Sequence, residues 1–533
     1  MRSVNRTTGW DFLNNLSSES SLSRLPLIRD GCSFSLIRIS DRTLNGNATV
    51  SPRVTTHVVI IGAYGSAGVA VAQELADEEG VELTLVDDGD PGGGLCILRG
   101  CMPSKDVLSA GEHRFEARHD HRLDGVPEVD LEKVVTTKDD HVETFAEHRR
   151  AAVRELARRD DVTFYHRTAR FVDDHTVAVG DREVEADYVV VATGSTVNVP
   201  DLNGLDEVDY VTSADVLDAT EFPDSGVVMG FGYVGLEMVP YLSEAAGMDL
   251  TVIEHDDYPL DEADEPFRET ILDLYREEFD VEVLTNTHEQ SVEPIGESSV
   301  ESDGDGGTSG EEGIRLHVTR RDQHETVEAD QLFLFTGRRP EVENVGLENT
   351  ALDPGPDWVR DTMQASDDDR IFVVGDANGR EPILHVAKEQ GFVAAENVLR
   401  HRDGEELREY HNVHHHVIFS GLGVYPYARV GVSEGALAAE DRDYVAVTRQ
   451  ASSDGVFKTK DVPRGLAKLV VDAEDGTVLG YQGLHYDADT MAKTMQVVVE
   501  TEMDVREIPD RAYHPTTPEI LDGLFRDAKA KLE

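Results

Sequence analysis

The sequence predicts an α/β fold carrying two Rossmann-like dinucleotide-binding modules, and three observations predict it. An apolar strand from Val54 to Ile61 runs into a Gly-rich turn and a helix, and the next strand, Val81 to Val86, ends in an acid, Asp87. The same order recurs downstream: strand Gly226 to Met229, Gly-rich turn, helix, strand Leu250 to Ile253, acid Glu254. The chain is also long and apolar enough to bury several cores, with 533 residues of which 39% are hydrophobic. At about 150 residues per domain this length implies three or four domains.

Residues 1–53 stand apart. They hold seven arginines, no lysine and four acids, and are rich in Ser and Asn. They read as an upstream extension rather than a targeting peptide, and contribute nothing to the predicted fold. The body is the opposite: 106 Asp and Glu against 49 Lys and Arg give the whole chain a net charge of −57, and only ten of those basic residues are Lys. Such a surface repels nucleic acid and anionic membranes alike. It reads as that of a halophile's enzyme, kept soluble in brine by screened self-repulsion. No stretch is long and apolar enough to predict a membrane span.

The first module's turn, Gly62-Ala63-Tyr64-Gly65-Ser66-Ala67-Gly68, is irregular. Either Tyr64 stands at the second glycine position or the turn carries one inserted residue. The predicted helix extends to about Glu79. Helical spacing then recurs over 103–118 and 130–159, and short strands close with Tyr188 to Ala192 before the turn Thr193-Gly194-Ser195.

Between these elements lies Gly92-Gly93-Gly94-Leu95-Cys96-Ile97-Leu98-Arg99-Gly100-Cys101-Met102-Pro103-Ser104-Lys105. The chain has three cysteines, too few for a disulfide framework, and Cys32 has no evident partner. In a reducing cytoplasm, the compartment expected here, a close Cys pair reads as catalytic or metal-binding rather than structural. On a regular helix, positions five apart are separated by about 7.5 Å of rise and face different ways. A disulfide wants Cα atoms within about 7 Å. Cys96 and Cys101 can close only where the helix start is distorted, and Gly100 and Pro103 supply a distortion. A helix N-terminus followed by Lys105 would lower a thiol pKa. A two-Cys zinc half-site and two unrelated buried thiols remain alternatives, although no further Cys is left to complete a zinc site.

The second module has the fuller fingerprint. In Gly230-Phe231-Gly232-Tyr233-Val234-Gly235, Gly230 allows the tight turn, Gly232 lets backbone approach a pyrophosphate, and Gly235 lets the helix pack on the strand. The phosphate would rest on the helix N-terminus. Glu254 can accept both ribose hydroxyls and would repel a 2′-phosphate, and His255 and Asp256 follow it rather than Arg, so NAD is favoured over NADP. Further on, the acidic, Gly/Ser-rich stretch Gly296 to Gly313 predicts a solvated hairpin insertion. The four histidines of His411–His416 read as a solvated linker rather than a metal site, and no metal is expected.

These motifs together resemble the pyridine nucleotide–disulfide oxidoreductases of the dihydrolipoamide dehydrogenase, glutathione reductase and mercuric reductase type. The resemblance covers about residues 54 to 533. It rests on the Cys96–Cys101 segment, Ala192-Thr193-Gly194, Gly230 through Glu237, Thr336-Gly337-Arg338-Arg339-Pro340, Val374-Gly375-Asp376 and His514-Pro515-Thr516-Thr517-Pro518-Glu519. It implies FAD on the first module and NAD(P) on the second. The FAD-binding domain would comprise 54–205 and, as a second or central part, 336–408; the NAD-binding domain would be 206–335. Residues 409–533 would form an α+β dimerisation domain in a homodimer whose active site is shared across the interface.

Residue roles follow from the same resemblance. Gly62, Gly65, Gly68, Asp87, Lys105, Thr193, Gly194 and Asp376 would hold FAD, Asp87 at the adenosine ribose and Asp376 at the flavin's ribityl chain. Gly230, Gly232, Tyr233, Gly235, Glu254 and Gly337 would hold NAD, with Tyr233 gating the nicotinamide. Cys101 would be the charge-transfer thiol beside the flavin, and Cys96 the interchange thiol of a redox-active disulfide. Lys105 and Glu237 match the ion pair at the flavin ring. His514, oriented by Glu519, would be the acid/base that serves the partner's thiols.

The chain departs from the family pattern at Leu98, usually Asn, at Arg99, usually aliphatic, and in the first glycine turn. These departures bear on the substrate rather than on flavin–dithiol chemistry. The resemblance therefore implies an NAD-linked oxidoreductase acting on a small thiol or lipoyl-protein, most like dihydrolipoamide dehydrogenase. A mercuric reductase-like enzyme is the same-fold alternative, disfavoured because no Cys follows Cys101. NADH–quinone or transhydrogenase activity would need the flavin without the dithiol. A dinucleotide-sensing scaffold with a decayed site sits poorly with Cys96, Cys101, His514 and Glu519 all in place.

Overall fold

Two five-stranded parallel sheets of the same design organise the body. The computed structural model describes residues 55–296, 313–440 and 442–533. In the first sheet the strands run in the order Ile371–Val373, Tyr188–Val191, Thr56–Ile61, Val81–Asp87, Val162–His166. In the second the order is Glu282–Leu284, Asp249–Ile253, Ser225–Met229, Gln331–Leu334, Tyr210–Thr212. Every pairing in both is parallel, with Ile61 opposite Val86 and Met229 opposite Ile253. Parallel sheets are covered on both faces, which is why Val58, Val59, Ile60, Val227 and Val228 are all fully buried.

Each sheet carries an antiparallel attachment of three strands, Ala169–Asp173, Thr176–Val179 and Arg182–Glu185 in one case, Thr287–Ile295, Gly313–Arg320 and Gln323–Ala329 in the other. The expected hairpin insertion is bracketed by two of these, which pair antiparallel with Ile295 opposite Gly313; residues 297–312 themselves lie outside the described residues. So do the N-terminal extension and Cys32.

The first helix spans Ser66–Ala76 and ends earlier than its pattern predicts, because Asp77 caps it and the chain turns at Gly80 with φ +79°. The predicted 103–118 and 130–159 helices are Cys101–His119 and Leu131–Leu156, the latter opened by Asp130, whose carboxylate accepts from Lys133 N. C-terminally, the sheet His415–Ile418, Tyr427–Gly431, Val478–His485, Gly465–Asp472, Tyr444–Gln450 is wholly antiparallel. Helices Ala488–Glu500 and Glu519–Leu532 pack on it.

One apolar core joins this sheet to the second parallel module and to the Cys101–His119 helix, through Phe115 stacked on Phe279 with ring centroids 4.9 Å apart. An ion pair is enclosed at the same junction. Lys468 Nζ lies 2.9 Å from Asp264 Oδ2, which also accepts from Gln482 Nε2 at 2.8 Å. Among the described residues no helix is long and apolar enough to cross a membrane.

Candidate active site

A cavity of about 650 Å³ runs along the carboxyl edge of the first sheet. Its lining starts at Asp87 and Gly89, passes Gly62, Gly65, Thr193, Gly194 and Asp376, and reaches Cys96 and Cys101. One cavity thus brings together most of the residues expected at the flavin, while Gly68 and Lys105 lie outside its lining.

The glycine turn is shaped for such a ligand. Gly62 has φ +96°, and a Cβ there would lie 2.2 Å from the carbonyl oxygen of Ala192. A Cβ on Gly68 would meet the Gly62 carbonyl at 2.1 Å, so only glycine lets this helix lie against the turn. Helix Ser66–Ala76 begins one residue later, relative to Gly62, than helix Tyr233–Glu244 does relative to Gly230. The first turn is therefore an expanded one with an inserted residue. The inserted Tyr64 gives its backbone N–H to Asp87 Oδ2 at 2.8 Å, while Gly89 N–H reaches Oδ1 at 2.9 Å. Burial raises the Asp87 pKa, and these two donors work against that rise.

Asp376 is held by Ser195 Oγ, which donates to its Oδ2 at 2.6 Å, and Arg338 Nε in turn donates to Ser195 Oγ at 2.9 Å. Thr193 Oγ1 donates to the Glu341 carbonyl at 2.6 Å, tying the turn before Gly194. The residues fit FAD: a glycine-lined helix N-terminus for phosphate, an acid at the strand end for ribose, and a second acid toward the thiols.

At the far end the helix start is broken as its glycine and proline predict. Leu95–Leu98 makes a single turn, Gly100 departs from helical geometry at φ −129°, ψ −125°, and the long helix restarts at Cys101. A Cβ on Gly100 would lie 3.0 Å from the Cys96 Cα, so the closeness of the two segments depends on glycine here. The thiols are hydrogen-bonded neighbours, both reduced in this structure. That bond and the nearby Lys105 ammonium pull the Cys101 thiol down to about 7, and the same bond pushes Cys96 up. Of the two thiols, Cys101 is the one held toward ionisation.

Lys105 Nζ donates to both oxygens of Glu237 at 2.7 Å and lies 4.3 Å above the Phe419 ring. Glu237 Oε1 also accepts from Phe419 N at 3.1 Å, so the ion pair is braced from the C-terminal segment.

In the second module Gly230 has φ +98°, its absent Cβ facing Phe335 O at 2.5 Å. Gly235 packs on the Gly230 carbonyl, and Gly232 is open. Tyr233 opens the helix and donates from its hydroxyl to Glu262 Oε1 at 2.5 Å. Glu254 directly follows the strand Asp249–Ile253; burial raises its pKa and the neighbouring Asp256 and Asp261 charges add to the rise. Gly337 lies in the strap between modules, ahead of Arg338–Pro340, which pairs with Ser195–Val197.

His514 and Glu519 come together: Nδ1 lies 2.9 Å from Glu519 Oε1, which also accepts from Thr516 N. The structure does not bring them to the thiols of their own chain. His514 is absent from the cavity lining and its side chain is 76% exposed, with Tyr513 beside it even more so.

Two models of known families match: "Pyridine nucleotide-disulphide oxidoreductase" over residues 56–391 and its dimerisation domain over 417–524. The chain belongs to the pyridine nucleotide-disulphide oxidoreductases. Members of this family are flavoproteins that use FAD and NAD(P), and the dimerisation domain indicates a homodimer. Among its relatives are a mercuric reductase of Streptomyces lividans, 28% identical with 86% of this chain and 92% of the relative covered, and a dihydrolipoyl dehydrogenase of Halobacterium salinarum, 26% identical with 87% and 94% covered. The fold matches the Escherichia coli flavoprotein disulfide reductase RclA at TM-score 0.72, with 20% identity over 88% of this chain and 99% of that one. It matches LpdA of Mycobacterium tuberculosis at 0.73, with 22% identity over 89% and 99%.

Other functional-site neighbours were not legible beforehand. Arg149 donates from Nη1 to the Tyr64 carbonyl at 2.9 Å and Arg150 from Nη1 to the Gly92 carbonyl at 3.2 Å, both from a helix whose sequence reads as ordinary surface. The histidine cluster corrects its expectation. His411 is exposed, but His415–Ile418 is a strand, and the His416 side chain is only 3% exposed, stacked on Tyr233 at 5.2 Å. A run of histidines has no apolar period, so its burial is set by partners far away in sequence.

Proposed function

We propose that this oxidoreductase is an NAD-linked dithiol–disulfide oxidoreductase, most like dihydrolipoamide dehydrogenase, working in the cytoplasm on a small thiol or lipoyl-protein. The observation that carries it is the Cys96/Cys101 pair at the end of the glycine-lined cavity, with Cys101 poised as thiolate. FAD, bound along that cavity, supplies the two-electron chemistry that links NAD to the disulfide. In this reading 54–205 and 336–408 hold FAD, 206–335 hold NAD, and 409–533 pair the subunits.

The chain's own residues do the sulfur chemistry. His514 of one subunit takes the proton from a substrate thiol, and the resulting thiolate attacks Cys96 Sγ of the partner's disulfide. The S–S bond breaks and Cys101 leaves as thiolate, suited to its lowered pKa. The second substrate thiol then attacks the substrate sulfur of the mixed disulfide and displaces Cys96, its proton passing to the Cys96 sulfur, while the first proton stays on His514 as imidazolium. Glu519 fixes the imidazole tautomer and favours the imidazolium. The exposure of His514 in the single chain fits a role across the subunit boundary. Lys105 and Glu237 fix charge beside the leaving thiolate. Glu254 selects NAD over NADP, because three carboxylates there repel a 2′-phosphate.

General acid–base help is worth about 10² to 10⁴ in rate. His514→Ala should slow dihydrolipoamide oxidation by about that factor while NADH reduction of artificial acceptors stays near native. Native dithiol turnover in His514→Ala would refute the reading, as would mercuric ion outpacing every dithiol as substrate.

A further inference from the structure

Behind Tyr233 lies a line of four titratable side chains that the dithiol chemistry does not use. Glu381 Oε1 is 3.2 Å from His414 Nδ1, and His414 Nε2 is 2.8 Å from His416 Nδ1. His416 Nε2 in turn is 3.2 Å from Glu262 Oε1. Tyr233 Oη donates to that same Oε1 at 2.5 Å. Tyr233 and His416 therefore meet at one oxygen, and the His416 contact is the poorer of the two: its buried Nε2 makes no well-aligned hydrogen bond there.

The proton count of this line decides its state. Two imidazoles between two carboxylates are bonded at both ends and to each other only with three ring protons, which is one more than two neutral rings carry. With two, either one carboxylate faces a ring lone pair, or the rings face each other lone pair to lone pair. The His pair thus has a charged and a neutral form that differ in how strongly His416 can claim Glu262.

We propose that Glu262 latches Tyr233 shut over the nicotinamide site and that a proton on the His414–His416 pair loosens the latch. The inference rests on the proposed gating role of Tyr233. When the pair is charged, His416 takes Oε1, and Tyr233 swings away while the half-buried Glu262 carboxylate keeps a charged donor. When the pair is neutral, the Tyr233 hydroxyl is the carboxylate's main donor, and opening leaves a half-buried charge short of one. Tyr233, His416 and Glu262 are positioning residues for dinucleotide entry.

The surroundings agree with this assignment. Arg429 Nη1 donates to the Glu262 backbone carbonyl at 3.2 Å, and Tyr427 lies on the other side of the His416 ring. His415 is stacked on His385, whose Nε2 meets the His415 carbonyl, with Glu389 nearby. Burial holds the His416 pKa below the usual imidazole value and Glu262 and His414 act on it in opposite senses. Burial pushes Glu262 up, and the contacts with His416 and Tyr233 more than offset this. The hydrogen bond from His414 leaves Glu381 lowered. The partially exposed end of the line, His414 and Glu381, is where the proton enters from solvent.

The test is the affinity of the oxidised, FAD-loaded enzyme for NAD⁺, in which the paired cysteines do not titrate. It is measured by fluorescence titration at fixed salt across about pH 5 to 8, where imidazoles change charge. Affinity should fall about tenfold as pH rises, the loss expected for one hydrogen bond to a charged group. In His416→Gln the amide keeps a permanent donor at Oε1, so affinity should stay at the acid-side value throughout. Tyr233→Phe keeps the ring, cuts the latch and should be flat as well. A flat native profile, or a native slope surviving in both variants, overturns the latch. If His416→Gln fails to retain flavin, His414→Gln, which removes one ring of the pair, should flatten the slope or move it along the pH axis, and an unchanged slope there overturns the latch. NADH failing to reduce the flavin at any pH would instead sink the proposed function, so the two failures are distinguishable.

Discussion

The two glycine turns do the same job with different parts. The second follows the regular spacing, Gly230, Gly232, Gly235, and its helix starts three residues after the first glycine. The first is one residue longer, Gly62, Gly65, Gly68, and pays for the extra residue with support from elsewhere. Tyr64 is tied by Asp87 through its N–H and by Arg149 through its carbonyl. Its ring is buried edge-on to Phe164, in space that Gly92 leaves free. Both turns keep the same two close approaches, Gly62 on Ala192 O and Gly68 on Gly62 O, Gly230 on Phe335 O and Gly235 on Gly230 O. What a dinucleotide turn requires is therefore the pair of backbone contacts; the spacing between them can stretch by a residue when that residue is anchored.

The largest effects should separate the modules cleanly. Gly62→Ala forces a Cβ to 2.2 Å from a backbone oxygen at φ +96° and should cost several kcal/mol, giving a colourless protein by absorbance after FAD reconstitution. Gly230→Ala meets the same geometry at 2.5 Å and should leave the protein yellow but unable to accept electrons from NADH. A yellow Gly62→Ala protein would break the comparison.

A smaller effect tests the anchoring of the insertion. A Cβ on Gly92 would sit 2.2 Å from the Tyr64 ring, so Gly92→Ala should destabilise by about 1–3 kcal/mol in denaturant titrations. Tyr64→Ala should recover part of that loss in the double mutant, a coupling of about 0.5–3 kcal/mol. Additive losses would mean that the ring and the glycine are not partners.

The smallest expected change concerns the acids that end the two paired strands. Asp87 and Glu254 occupy equivalent places, but in the proposed function only Glu254 has to choose between nicotinamide cofactors. Glu254→Arg should shift the NADH-over-NADPH ratio of kcat/KM by at least about tenfold, or about 1.4 kcal/mol, with flavin content unchanged. Equal native rates with the two cofactors would remove Glu254 from this role.

The same comparison shows what sequence can and cannot carry. Both modules were legible because strand, turn, helix and terminal acid are local patterns with fixed periods. The first turn stayed ambiguous because spacing alone cannot distinguish a substituted glycine from an inserted residue; only the start of the helix at Ser66 decides it. Cys96, Cys101, Lys105 and Glu237 were found from their motifs, and the distortion at Gly100 from residue chemistry. Arg149, Glu262 and His416 were not, because each gains its place from a contact more than 80 residues away in sequence, to Tyr64, His416 and Glu262 respectively.

Asp264 has a consequence for how the molecule comes apart. Besides Lys468 and Gln482 it accepts from the backbone N–H of Glu434 at 3.3 Å and of Gly435 at 3.0 Å, so one buried carboxylate of the second module is bonded to four points of the C-terminal sheet and its flank. Removing one member of an enclosed ion pair typically costs about 3–5 kcal/mol. Either side unfolding alone breaks every bond to this carboxylate and leaves Lys468 only Glu434, which couples the second module and the C-terminal sheet in one transition. A nucleotide that binds the module then also protects the sheet from heat, by mass action on their shared transition.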